Sequence, residues 1–351
     1  MKLSRTKLIN DLNKVLPGIA SGATIMEGAD TVIFNNGYIY SYNSAISVIA
    51  KESEERGLNG IVKAQDFYKC ITGLPSDEIE VVAEEESWKI SDSNISVTMN
   101  LLPKNEIYKR FQEVKLGDNW SSIDGEDFNK ALKTCNIQGN NTAFAGAFVD
   151  DNIMISTNQW IINKFTLKDT YPKMWISAAC MAELLKWNNF NGVQYDKQWI
   201  HFRSADDTVF SIRTMDVNQF PLAKISGVIE ADKSKKAYAQ IELSKKFYEA
   251  IKRASAFSNE IDEHEVIKVS FGPEVTINGS RVSGSYKEVV DDMSIKDKMF
   301  ILNFDISEIL SSEGVMSNLD VVSETGEVDF SKPVRVILHN DSCIKIFSSV
   351  N

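Results

Sequence analysis

The feature that most constrains this chain is an internal repeat. Three stretches pair an apolar residue with a good helix-capping residue: Leu3-Ser4, Ile123-Asp124 and Leu243-Ser244. Each leads into apolar residues at helical spacing. These are Leu8, Leu12 and Val15 in the first copy, Phe128, Leu132 and Cys135 in the second, and Phe247, Ile251 and Ala254 in the third. The pattern predicts an amphipathic helix of about three turns, opened by a side-chain cap. The starts Leu3, Ile123 and Leu243 lie 120 residues apart both times, and the third helix is shifted by one residue. What repeats is therefore a structural unit rather than a string of letters. Three such units fill a chain of 351 residues.

A second helix is expected inside each copy, over Ile61 to Pro75, Trp175 to Asn188 and Ile301 to Ser311. They open near Lys63, Ser177 and Asn303, and Pro75 closes the first. Strands are expected between the helices. Thr31 to Asn35 and Tyr38 to Asn43 flank Asn36-Gly37, a strong hairpin signal. Ala143 to Val149 and Ile153 to Ser156 flank a second expected turn, Asp150 to Asn152. Tyr195 to Arg203 and Thr208 to Thr214 flank Ala205 to Asp207, and Val266 to Phe271 precedes Gly272-Pro273 and Val275. The fold class is α+β with antiparallel sheet. Boundaries fall near Lys115 to Ser121 and near Val228 to Lys236, giving domains 1–117, 118–232 and 233–351. The charged run Glu230 to Ala237 reads as a linker.

No run approaches the roughly 18 apolar residues of a membrane span, and the first ten residues lack the apolar core of a signal peptide. A cytoplasmic location is expected. Four cysteines (Cys70, Cys135, Cys180, Cys343) form no CxxC pair, so buried thiols are expected rather than disulfides or zinc. Phosphate loops, dinucleotide-binding glycines, HExxH and nucleophile elbows are all absent, and His201, His264 and His339 lie far apart in sequence. No catalytic residue, metal or cofactor is expected. The acid pairs Asp150/Asp151 and Asp206/Asp207 have the composition of metal-binding carboxylates, but hairpin turns favour Asp for backbone reasons. A formal net charge of −11 opposes general nucleic-acid binding unless the cations gather on one surface.

Four stretches in this order resemble the beta sliding clamp of bacterial DNA polymerase III. Val62 to Pro75 is similar to the second helix of the family's first domain. Ile155 to Asn163 stands at a strand and turn of its second domain. Arg213 to Pro221, ending Phe220-Pro221, resembles the Phe-Pro segment before the third domain. Lys252 to Ile261 resembles the first helix of the third domain and its exit. The chain departs from the family at Thr157-Asn158-Gln159-Trp160 and in its C-terminal Ile344 to Asn351. A divergent member, such as a phage encodes, is the reading these departures suggest.

The resemblance implies three repeated clamp domains, each with two helices on antiparallel sheets, forming half of a ring. Two copies close head-to-tail around duplex DNA and tether a DNA polymerase, after placement by a clamp loader. The helices line the hole, so their cations become candidate sequence-independent phosphate contacts: Arg5, Lys7, Lys14, Lys63, Lys69, Lys130, Lys133, Lys186, Lys245, Lys252 and Arg253, with Lys246 beside them. Lys7 and Lys14 are seven apart, as are Lys245 and Lys252, which places each pair on one helix face. Without the resemblance these are solvated faces. It also implies a dimer contact at Val97, Ala256 and Phe257. A partner-peptide pocket is implied at Phe144, Thr157, Gln159, Trp160, Ile162, Ile346, Phe347 and Ser349, although Trp160, Ile162 and Phe347 equally suit a domain core. Two other classes stay open: a structural or assembly protein of similar fold that does not encircle DNA, and a metal-dependent nuclease using the paired acids.

Overall fold

A computed structural model describes residues 1–20, 28–54, 57–104, 108–109, 111, 114, 116–137, 145–158, 160–187, 189–196, 198–261 and 264–350. The chain divides into two compact units. One comprises Met1–Glu126 with Lys186–Thr214, the other Asp127–Leu185 with Met215–Asn351.

The repeated helices form where the caps and periodicity require. Helix α1 spans Arg5–Val15, and the Ser4 hydroxyl accepts from the Lys7 amide at 3.3 Å. Helix α2 spans Ala64–Gly73 after N-cap Lys63. Helix α3 spans Gly125–Cys135. Helix α4, Ala178–Leu184, is capped by Ser177. Helix α5 spans Leu222–Lys233. Helix α6, Lys245–Ala254, is capped by Ser244 at 3.1 Å. Helix α7, Ile306–Leu310, is capped by Asp305. The first residues of α1, α3 and α6 are 120 apart both times.

In the first unit an eight-stranded antiparallel sheet runs in the order Gly60–Lys63, Thr31–Asn35, Tyr38–Tyr42, Ile46–Lys51, Val209–Arg213, Trp199–Ser204, Phe190–Tyr195, Ser121–Ser122. The Asn36-Gly37 hairpin forms, with φ of 51° and 77°, the left-handed pair that a two-residue turn needs. A four-stranded sheet runs Lys2–Ser4, Glu78–Ala83, Ser87–Asp92, Ile95–Asn100. Phe34, Phe67 and Trp88 interlock edge-to-face at 5.2 to 5.6 Å, all fully buried.

The second unit is built on the strands Gly146–Thr157 and Ile162–Ser177, followed across the sheet by Cys343–Ser348, Arg335–His339, Asn318–Ser323 and Lys236–Glu242. One face carries Phe148, Ile155, Trp175, Ile337 and Ile346, against which Phe220 packs from the turn before α5 and α5 places Ile225 and Ile229. A second sheet runs Asn259–Ile261, His264–Phe271, Val275–Arg281, Gly284–Val290, with Phe300–Asp305 also paired to His264–Phe271. Among the described residues, Ile95–Asn100 and Gly284–Val290 each pair along one edge only.

Three local expectations need correction. Asp150 to Asn152 is not a hairpin turn. It is an irregularity inside one strand, where the register shifts on either side of Asp151 and Asp151 takes φ 56°. A bulge of this kind satisfies the same acidic, left-handed preference as a turn. The charged run read as a linker is in part the end of α5, because Ile225 and Ile229 give that helix a buried stripe four residues apart. Asn303 belongs to a strand, and Asp305 caps a shorter α7, accepting from the Ser307 amide at 2.8 Å. Cys135, Cys180 and Cys343 are buried free thiols, as expected, whereas Cys70 is only half-buried.

Phe34→Ala should cost about 3–5 kcal/mol, because the aromatic trio cannot collapse around the void. Urea denaturation followed by tryptophan fluorescence checks it.

Candidate functional site

The helix cations are mostly not free. On α1, Arg5 donates to the carbonyls of Thr72 and Leu74, at 3.3 and 2.6 Å, and so ties α1 to the exit of α2. Lys7 pairs with Glu54 at 2.5 Å and Lys14 with Asp206 at 2.7 Å. Lys63 pairs with Asp30 at 2.5 Å. On α6, Lys245 pairs with Glu249 at 3.4 Å, Lys246 with Asp291 at 2.7 Å and Lys252 with Glu313 at 2.6 Å. Arg253 grips Glu288 with two hydrogen bonds, Nε to Oε2 at 3.0 Å and Nη2 to Oε1 at 2.6 Å. Lys69 and Lys133 are exposed and make no ion pair among the described residues. Lys130 is exposed on α3. Lys186 lines, with Asn10, Asn13, Lys14, Trp187 and Asp206, an open depression of about 480 Å³.

The carboxylates report these contacts. Against the upward push of burial, hydrogen bonds from Lys14, Ser204 and Thr208 hold Asp206 well below the usual range. Lys246 does the same for Asp291, and Arg253 for Glu288. Asp206 also closes its hairpin, accepting from Ser204 Oγ at 2.5 Å. Asp150 pairs with Lys173 at 3.2 Å. Among the described residues no three His, Cys, Asp or Glu are grouped to hold a metal ion. His201 is fully buried on its strand, 2.8 Å from Ser211 Oγ, and burial lowers its pKa.

Val97 lies half-buried on the one-sided strand Ile95–Asn100. Ala256 is exposed and Phe257 half-buried at the exit of α6, where the Phe257 ring stacks on Tyr286 with centroids 6.0 Å apart. Tyr286 belongs to Gly284–Val290, a strand that also pairs along one edge only among the described residues.

The expected pocket residues separate into two groups. Ile162 and Ile346 face each other in the six-stranded sheet and belong to its core. Thr157 is buried too, its hydroxyl donating to the Ile161 carbonyl at 2.8 Å. Trp160, Phe347 and Ser349 instead line one cleft of about 390 Å³, joined by Asn158, Ile161, His264, Asp305, Glu308, Pro333 and Val350. Phe144 and Gln159 lie outside the described residues. Asn158 shapes the rim: its side-chain oxygen accepts from the amides of Trp160 (3.1 Å) and Ile161 (2.9 Å). This tight turn leaves the Trp160 indole 76% exposed over the cleft. An aromatic held in water beside an apolar hollow is a ready anchor for a bound chain.

The cleft rests on a group that sequence reading missed. Lys345 is 2% exposed, on the same strand face as Phe347. Its ammonium donates to the Glu308 carbonyl at 2.8 Å and to Ser311 Oγ at 2.7 Å, and it pairs with the Glu308 carboxylate. Burial pushes the Lys345 pKa down, and Glu308 pushes back. All three acceptors sit on α7 or its exit, so Lys345 braces α7 against the C-terminal strand, and the cleft lies between them. The available signal was a lysine in an otherwise apolar strand, Cys343 to Phe347.

No family model matches the chain, and no curated protein matches it in sequence. Solved structures match it throughout. The beta clamp of Helicobacter pylori, solved bound to a DNA ligase peptide, superposes with a TM-score of 0.74 at 14% identity, covering 100% of this chain and 99% of that one. The DNA polymerase beta subunit of Streptococcus pyogenes gives 0.74 at 15%, covering 100% and 99%. The DNA polymerase sliding clamp of Bacillus subtilis gives 0.73 at 16%, covering 100% and 98%. The fold of this chain is that of the bacterial polymerase III beta sliding clamps.

Lys345→Met should destabilise the protein by about 3–5 kcal/mol, because it strands the buried Glu308 charge, whereas Lys345→Met with Glu308→Leu should recover most of the loss. Equilibrium denaturation of the two variants measures the difference.

Proposed function

We propose that this chain is a non-catalytic DNA sliding clamp, a processivity factor that encircles duplex DNA and tethers a replicative polymerase. The observation that carries the reading is the full-length match to sliding clamps, 100% of this chain on 98% or 99% of theirs. Low identity and the departures at Thr157 to Trp160 and at the C-terminus fit a divergent, phage-type member. The three clamp domains are 1–117, 118–232 and 233–351, and the helix starts 120 residues apart support that division. A clamp loader is the partner that opens the ring, and the cytoplasm is its place of work. No described helix is long and apolar enough to cross a membrane.

The ring is proposed to be a head-to-tail homodimer. Ile95–Asn100 and Gly284–Val290 leave unpaired backbone edges that a second copy can satisfy, each on the opposite partner. Processivity then comes from topology: a closed ring leaves DNA only by opening or reaching an end. Weak phosphate contacts suffice, and a tethered polymerase gains a high effective concentration at the primer end. The candidate contacts are Arg5, Lys7, Lys14, Lys63, Lys69, Lys130, Lys133, Lys186, Lys245, Lys252 and Arg253. Native mass spectrometry should give a dimer, and Phe257→Asp should shift it towards monomer by burying an unpaired charge. Loaded on circular DNA, the protein should survive gel filtration and be lost once the circle is cut. Tight, sequence-specific binding to a short duplex would sink the reading.

The partner-peptide site is proposed at the cleft under Trp160, with Phe347 and Ser349 lining it. Trp160→Ala should remove most of the affinity for the polymerase, on the order of 2 kcal/mol or more. The dimer mass should not change. Full processive synthesis by this variant at wild-type clamp concentration would place the partner elsewhere.

A further inference from the structure

The helix cations carry their own competitors. Lys7, Lys14, Lys63, Lys246, Lys252 and Arg253 each meet a carboxylate at 2.5 to 2.7 Å. None of these acids lies on α1 or α6, although Asp11 of α1 also stands 3.7 Å from the Lys14 ammonium. Asp30, Glu54, Asp206, Asp291 and Glu313 come from turns and loops, and Glu288 from a strand. The partners have been brought to the helices by the fold, not by helical spacing. Lys69 and Lys133 lack such a partner among the described residues.

We infer that these carboxylates set the grip on DNA by replacing phosphate, so that a clamp with many cations on its helices holds duplex as weakly as one with few. The inference rests on the sliding-clamp reading. A free lysine that reaches a phosphate releases a condensed counterion, and the salt dependence of binding counts those releases. A paired lysine must first leave its carboxylate. The carboxylate it leaves adds negative charge beside the duplex, which repels the backbone and keeps cations there that would otherwise be released. Each pair is open to solvent on at least one partner, so the exchange is easily reversed. A lysine that swaps between acid and phosphate as the duplex moves holds no fixed register, which is what sliding requires.

The test is equilibrium binding of a 30-base-pair duplex over a salt series, read by fluorescence anisotropy. Asp206→Asn, Glu288→Gln and Glu313→Gln are measured singly and together. Glu85→Gln is the control, an exposed acid in the turn after Glu78–Ala83 with no ion pair among the described residues. It changes the net charge equally. Each paired variant should steepen the slope of log K against log salt by about 0.9, and the triple variant by about three times that. The Glu85→Gln slope should match wild type. A triple-variant slope equal to wild type, or an equal rise in Glu85→Gln, overturns the inference. Native mass confirms that the variants keep their assembly. Retention of the wild type on closed circles is scored separately: its loss overturns the clamp reading, whereas an unchanged triple-variant slope with retention intact overturns this inference alone.

Discussion

The antiparallel pairing of Gly146–Thr157 with Ile162–Ser177 is the interaction on which the second unit depends. These are long strands, and their ladder runs from Gly146 opposite Ser177 to Thr157 opposite Ile162. Period-two alternation sends Ile155 and Ile162 into the core that α5 covers, while Met154 lies on the other face, where its carbonyl accepts from the Cys135 thiol at 3.6 Å. The turn that closes the ladder holds Trp160 in water. The next strand, Cys343–Ser348, pairs with Ile162–Phe165 and carries Ile346 inward and Lys345 and Phe347 to the opposite face. A single register thus fixes the core, the brace and the cleft wall together. A slip of one residue would exchange all three.

Charge does two different jobs in this protein, and burial decides which. Lys345 and Glu308 sit where water does not reach the ammonium, so neither can lose the other cheaply. They fix α7. The pairs on α1 and α6 are half-open to solvent and contribute little to stability. They are therefore free to exchange partners. Geometry alone does not separate the two kinds, since both show nitrogen and oxygen in contact. The difference is the cost of the unpaired state.

Much of the fold is legible in the residues. Ser4, Ser177 and Ser244 announce helices because a hydroxyl there satisfies an amide the helix leaves bare. Asn36-Gly37 announces a hairpin because both residues tolerate positive φ. The same chemistry misleads at Asp150 to Asn152, where a left-handed acid serves a bulge as well as it serves a turn. It misleads again at Glu230, where surface charge hides a buried stripe at Ile225 and Ile229. The candidate cleft was half legible. Trp160, Phe347 and Ser349 reach it, whereas Ile162 and Ile346 do not, because strand alternation points them to the other face.

The sequence by itself determined the repeat, the helix starts and the hairpin signals of an antiparallel class, since capping, apolar spacing and turn chemistry act between residues close in the chain. Tertiary structure decided what those side chains face. Glu54 meets Lys7, Asp206 meets Lys14, and Lys345 meets Glu308, across separations of 47, 192 and 37 residues. Nothing local specifies such meetings. They follow from which strands become neighbours and in what register, and that is settled only when the apolar faces of whole sheets are buried together.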